Sequence, residues 1–211
     1  MHSLPLEKIN YKFSGTDSLV TGAQKFTYKT GGQGLVDDIY RFAPQNGQPV
    51  SYQNYQNYYI PDTKVDNYAN NNPVQFHKSD NMNTSYIWGY ANTLPIVKGD
   101  NIDYSTLQTA YTSALSSAGI SDFSEIMYPY ANNSQSTKLK NFCTALYGNA
   151  TLASAQLTVF TYAPLSGMTS MTDQRGITAY YVYDTFGRLQ LVKDATGNIR
   201  QAYEYYYKKQ K

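Results

Sequence analysis

The sequence predicts a mainly β chain: an antiparallel meander of β-hairpin repeats with a small helical insertion around residues 103–148. Three observations predict it. Tyrosine accounts for 23 of 211 residues, against 8 Phe and 1 Trp, and tyrosine suits strands because it buries its ring and keeps its hydroxyl wet. Near the C-terminus, Tyr162, Asp173 and Gly176 recur as Tyr183, Asp194 and Gly197, each 21 positions later. A single stretch, by contrast, places its apolar residues at helical spacing.

The elements follow in chain order. Residues 6–13 and 23–29 alternate in character and are expected to pair across a linker rich in Gly, Asp and Ser. Residues 35–42 add a strand. The tract 51–59 alternates tyrosine with amides too regularly for a core strand, and reads as a wet edge strand or a loop. Residues 68–72 form a turn, 73–77 a strand, 78–81 a turn and 84–90 a returning strand, a loose hairpin. Asp103 can cap a helix carrying Leu107, Ala110, Tyr111, Ala114, Leu115 and Ala118 on one stripe, stopped by Gly119. Ser121 can cap a short turn ended by Pro129, and a further helix is expected over 136–147, ending at Gly148. From 157 to 207 strands and Asp-to-Gly turns alternate at the spacing of a meander. With one residue inserted, Ile177, Tyr181 and Tyr183 fall on Ile199, Tyr203 and Tyr205. The organisation is therefore one β domain over 1–211, with degenerate hairpins over 1–100, the helical insertion over 103–148 and repeats over 157–207.

Bulk properties narrow the function. A formal charge of +2, with 17 basic residues scattered along the chain, makes no electrostatic case for nucleic acid or an anionic membrane. No apolar run approaches the roughly 20 residues that span a bilayer, so membrane insertion is not expected. The N-terminus has no basic segment followed by an apolar one, so no signal peptide is expected within it. The chain then reads as intracellular or as cut from a longer exported protein. The lone Cys143 sits on a helix face and reads as a small buried hydrophobe.

Tyr183-Asp184-Thr185-Phe186-Gly187-Arg188-Leu189, followed by Asp194-Ala195-Thr196-Gly197-Asn198 and Tyr203-Glu204-Tyr205, closely resembles the bacterial YD-repeat (RHS-type) signature. The resemblance is strong over 157–207 and degenerate over 66–90. The phrases Tyr86-Ile87-Trp88-Gly89-Tyr90 and Leu94-Pro95-Ile96, and the basic tail after Tyr205, are similar to C-terminal segments of such proteins from Bacteroides-like bacteria. The resemblance implies a piece of a large secreted or cell-surface protein, whose partners are the rest of that protein or surface proteins and glycans. The chain has too few repeats to close a shell, and it lacks the family's core motif and any appended toxin module.

The repeat residues Tyr162, Tyr183, Asp184, Gly187, Arg188, Asp194, Gly197, Tyr203 and Tyr205 are assigned structural roles. The tyrosines, with Tyr181, are expected to form a cross-strand ladder, with Gly176, Gly187 and Gly197 at the turns. Asp173, Asp184 and Asp194 are expected to accept backbone N–H bonds, with Arg175 and Arg188 pairing to them or covering tyrosine rings. Asp37 and Asp38 read as turn or surface residues. His2 and His77 are isolated in sequence, and no metal, cofactor or catalytic set is expected. The chain is read as a non-catalytic structural or interaction segment. The alternative is a carbohydrate-binding module in which Tyr52, Tyr55, Tyr58, Tyr59 and Trp88 stack on sugars. A hydrolase with scattered carboxylates is a further rival, marked by a carboxyl pair about 5–9 Å apart in a cleft.

Overall fold

The computed structural model describes residues 4–31 and 34–207. His2 and residues 208–211 of the basic tail lie outside them. The fold is mainly antiparallel β with two helices, in two compact units, Met1–Asn83 and Thr84–Lys211.

The first unit contains strands β1 (Glu7–Ser14), β2 (Asp17–Tyr28), β3 (Val36–Phe42), β4 (Val50–Ser51), β5 (Tyr59–Ala69) and β6 (Asn72–Lys78). The strands pair in the order β1-β2-β3-β5-β6, all antiparallel, and β4 lies beside β2. Residues 14–22 do not form the expected linker. Gly15 takes a φ of 64° in a two-residue turn, and β2 begins at Asp17. The reason lies in Leu19 and Val20, which pair with β1 on one side and β4 on the other, Val20 being fully buried. Asp37 and Asp38, read as turn or surface residues, lie half-exposed near the start of β3. There Lys64 on β5 reaches both carboxylates, at 3.3 and 3.2 Å, and Lys29 holds Asp37 at 2.8 Å. Asp37 is held below the usual carboxylate range, first by its bond to Lys29 and against the opposing effect of burial. His77 is half-buried against Asp66, 2.9 Å away.

The second unit contains β7 (Asn83–Gly89), β8 (Leu94–Asp100), α1 (Tyr104–Ala118), α2 (Asn133–Tyr147), β9 (Gln156–Ala163), β10 (Gly167–Thr172), β11 (Thr178–Tyr183), β12 (Leu189–Lys193) and β13 (Ile199–Ala202). Each strand from β7 to β13 pairs antiparallel with the next, which makes this unit a meander. The helices lie where the apolar stripes predict, with two shifted starts. Asp103 caps α1 by accepting from Thr106 N, and Gly119 closes it at a φ of 63°. Asp122, not Ser121, caps the short 3-10 turn Phe123–Glu125, because its carboxylate reaches Ser124 N. Asn132 caps α2, which begins at Asn133, three residues ahead of the expected start.

The apolar core of this unit is the space between the helices and β8–β9. Strand β9 alternates strictly, turning Leu157, Val159, Thr161 and Ala163 inward. Leu157 and Val159 meet Leu107, Phe123, Phe142 and Leu146. The Phe123 and Phe142 rings stand edge-to-face at 4.8 Å, worth about 0.5–1.5 kcal/mol beyond area burial. Gly99 lets Ile102, Leu157 and Leu107 close over β8: a Cβ there would lie 2.6 Å from Ile102 Cγ2.

Candidate functional site

The repeat residues build one device three times. In Asp173–Ile177, Asp184–Arg188 and Asp194–Asn198 the Asp backbone N–H donates to the carbonyl four residues on, and the Gly N–H donates back to the Asp carbonyl. The Asp Oδ1 accepts from the backbone N–H two and four residues ahead: Arg175 and Ile177, Phe186 and Arg188, Thr196 and Asn198, all at 2.8–3.0 Å. The glycines take φ values of 74°, 73° and 89°, the left-handed region that L side chains resist. Five residues thus close a turn whose polar groups are satisfied from within.

The second carboxylate oxygen takes an arginine each time. Arg175, Arg188 and Arg200 reach Oδ2 of Asp173, Asp184 and Asp194 at 3.0, 2.6 and 3.0 Å. All three carboxyls lie below their ordinary range. For Asp184 the Arg188 bond is the largest cause. Asp194 is lowered to about 2, first by the Thr196 hydroxyl. At Asp173 burial opposes the shift, and the N–H donors of Ile177 and Arg175 outweigh it. Arg188 is the hub of the set. It pairs with Asp184, bonds the Tyr207 hydroxyl and lies over the rings of Tyr205 (4.5 Å), Phe186 (5.1 Å) and Tyr207 (5.3 Å).

The expected tyrosine ladder takes another form. Among the described residues no ring pair joins any two of Tyr162, Tyr181, Tyr183, Tyr203 and Tyr205; Tyr162 instead meets Tyr90 edge-on at 5.5 Å. Two of the tyrosines clasp backbone, while Tyr203 Oη donates to the Gln201 side chain. Tyr183 Oη donates to the Met168 carbonyl and Tyr205 Oη to the Leu189 carbonyl, both at 2.8 Å. Met168 and Leu189 are the pair the 21-residue offset equates, so each clasp shuts the open end of one hairpin, β10–β11 or β12–β13. Tyr183 is half-buried and Tyr205 exposed, so each clasp ties the strand end while its ring stays partly in water.

The tract 51–59 is a loop: β4 ends at Ser51, and a 3-10 turn follows over Tyr55–Tyr58. Its rings do not form a flat platform. Tyr55 is buried, tilted 30° to Tyr52 and edge-on to Tyr59, and its hydroxyl donates to Glu7 at 2.7 Å. Tyr59 Oη is buried without a partner among the described residues, and burial pushes its pKa up to about 12. Tyr58 packs edge-on against Phe42. Tyr52 alone of the four is well exposed, at 49%, and it meets Tyr11 at 69°. Tyr55 turns inward to the Glu7 carboxylate on β1. Trp88 lies half-buried on β7 in the second unit, 6.4 Å from Tyr86.

Sequence reasoning missed a groove of about 480 Å³ lined by Leu139, Cys143 and Tyr147 of α2 and by Arg175, Thr178 and Tyr180 of the β10–β11 hairpin. Cys143 is buried, and desolvation pushes its thiol up to about 12, so it is no thiolate nucleophile near neutral pH. Tyr147 Oη donates to the Thr172 carbonyl and ties α2 to the repeat. Only the fold brings residues this distant in sequence together. Among the described residues no three His, Cys, Asp or Glu side chains cluster as metal ligands, and no helix is long and apolar enough to cross a membrane.

No family model matches the chain, and no curated protein matches it in sequence. Among solved structures it is similar to a crystal structure of TcdB2-TccC3 without hypervariable C-terminal region, at 12% identity and a TM-score of 0.40. The match covers 85% of this chain and 7% of that chain.

Proposed function

We propose that this chain is a non-catalytic structural and interaction segment of a YD-repeat (RHS-type) protein, carried at the cell surface or secreted as part of a longer parent. The observation that supports this reading is the threefold Asp-to-Gly turn. In each copy one carboxylate oxygen holds two backbone N–H groups and the other holds an arginine. Acids committed in this way act on geometry, because a general base needs a free lone pair directed at a substrate. The two tyrosine clasps make the same point for the phenols. The segment's role is then to propagate hairpins and to present their surface to the parent chain or to neighbouring proteins.

A substrate panel for glycoside, ester, peptide and phosphoester hydrolysis tests the proposal. It predicts no turnover above that of the heat-unfolded chain. Turnover that disappears on changing one carboxylate to its amide would overturn it. A glycan array run in parallel addresses the other class: specific binding lost in Tyr52→Ala would replace this role with sugar recognition.

A further inference from the structure

Two sheet edges stand open among the described residues, and they differ in a way that points to a partner. Strand β1 pairs only with β2, and β13 only with β12. Exposed edges are templates for strand addition unless charge or shape guards them. An antiparallel self-pairing of β1 about Asn10 would set Lys8 opposite Lys12, so that register places like charges together.

The β13 edge reads the other way. Tyr203 N donates to the Gln190 carbonyl, which directs the Tyr203 N–H toward β12 and, by strand alternation, the N–H and C=O of Ala202 outward. Self-pairing about Ala202 sets Ile199 opposite Tyr205, Arg200 opposite Glu204 and Gln201 opposite Tyr203. Each pair occurs twice by symmetry. With residues 203–205, which lie beyond the end of β13, extended alongside the partner, one register gives two cross-strand ion pairs and two apolar pairs.

The side chains are free to do this. A bulge leaves Arg200 with no residue opposite it in β12, and its side chain is 69% exposed. Arg200 binds Asp194 Oδ2 through Nε and Nη2, which leaves Nη1 for a second carboxylate. Glu204 is exposed, and its Oε2 accepts from the Tyr206 hydroxyl, which leaves Oε1. Every residue of β13 is exposed, whereas those of β11, its counterpart one repeat earlier, are all half-buried between β10, β12 and α2. Ile199 is 59% exposed and Tyr205 44%, so covering this edge also removes apolar surface from water.

We propose that β13 is a self-recognition edge, at which two copies of this chain join antiparallel about a two-fold axis through Ala202. The occupant is a second copy because the edge is complementary to itself in charge, as an isologous interface requires. The pairing belongs to β13 as this chain presents it, and a strand laid on β13 by a longer parent would take the place of the second copy.

Sedimentation velocity of the whole chain, up to about 0.5 mM because an edge-only interface is small, tests it. A reversible monomer–dimer equilibrium is expected. Arg200→Glu and Glu204→Arg should each weaken it by about tenfold, and the double swap should restore it. Ala202→Pro removes an outward N–H and should abolish the dimer while leaving the melting temperature unchanged. A monomer at every concentration, a dimer indifferent to the charge reversals, or a double swap that fails to rescue would each overturn the proposal.

Discussion

At the scale of single residues, the repeated aspartates show how a carboxylate can be a backbone component. Asp194 gathers two N–H groups, the Thr196 hydroxyl and Arg200, and its pKa falls to about 2 from an ordinary value near 3.9. A carboxyl depressed on folding stabilises the native state above its unfolded pKa, and that contribution is lost as pH falls through the folded value. The window is therefore about pH 4 down to 2. Asp194→Asn keeps an oxygen for the N–H groups but cannot titrate. Thermal melts between pH 5 and 2 should show a smaller acid-induced fall in Tm for Asp194→Asn than for the wild type. Parallel curves would mean that other carboxyls carry the acid sensitivity.

At the scale of elements, the question is what holds a hairpin in register when much of it is wet. The turn fixes one end, and the tyrosine clasp fixes the other. Gly187 has open space around it and a φ of 73°, so a side chain there meets backbone strain but no clash. Gly187→Val should cost about 1–2 kcal/mol in urea unfolding, and Gly187→Asn distinctly less, because asparagine tolerates this conformation. Equal stability of all three proteins would remove the turn from the list of register determinants. At the other end, Tyr183→Phe deletes the bond to Met168 and keeps the ring. A loss of about 1 kcal/mol is expected, read from the same titration. No measurable loss would mean that the Met168 carbonyl is equally well served by water.

At the scale of the molecule, the two units differ in what keeps each folded. The second unit encloses a contiguous apolar core between its helices and β8–β9. In the first, the buried hydrophobic side chains are Val20, Tyr55, Val65 and Val74, and ion pairs such as Lys64 with Asp37 and Asp38 lie half-exposed on the sheet. Exposed ion pairs contribute little, on the order of 0–1 kcal/mol each. Native-state hydrogen exchange should therefore find the slowest amides in β8, β9 and α2, with β1–β3 exchanging well before them. The reverse order would mean that strand pairing outweighs apolar burial here.

What the sequence alone determined is what short-range chemistry dictates. The 21-residue recurrence, the Asp-to-Gly turns and the two stripes at helical spacing each depend on neighbours within a few residues, so strands, turns and helices fall close to their expected places. The departures divide the same way: the Gly/Asp/Ser stretch became strand because β4, far along the chain, pairs with it, whereas Asp122 displaced Ser121 locally, because its carboxylate reaches the N–H of Ser124. The tertiary structure decided how side chains meet. That the repeat tyrosines bond carbonyls and do not stack, that Tyr55 turns inward to Glu7, and that α2 forms a groove with the β10–β11 hairpin all join residues separated by 15 or more positions. A ring's direction depends on which acceptor strand pairing brings within 3 Å, and pairing is a property of the assembled sheet.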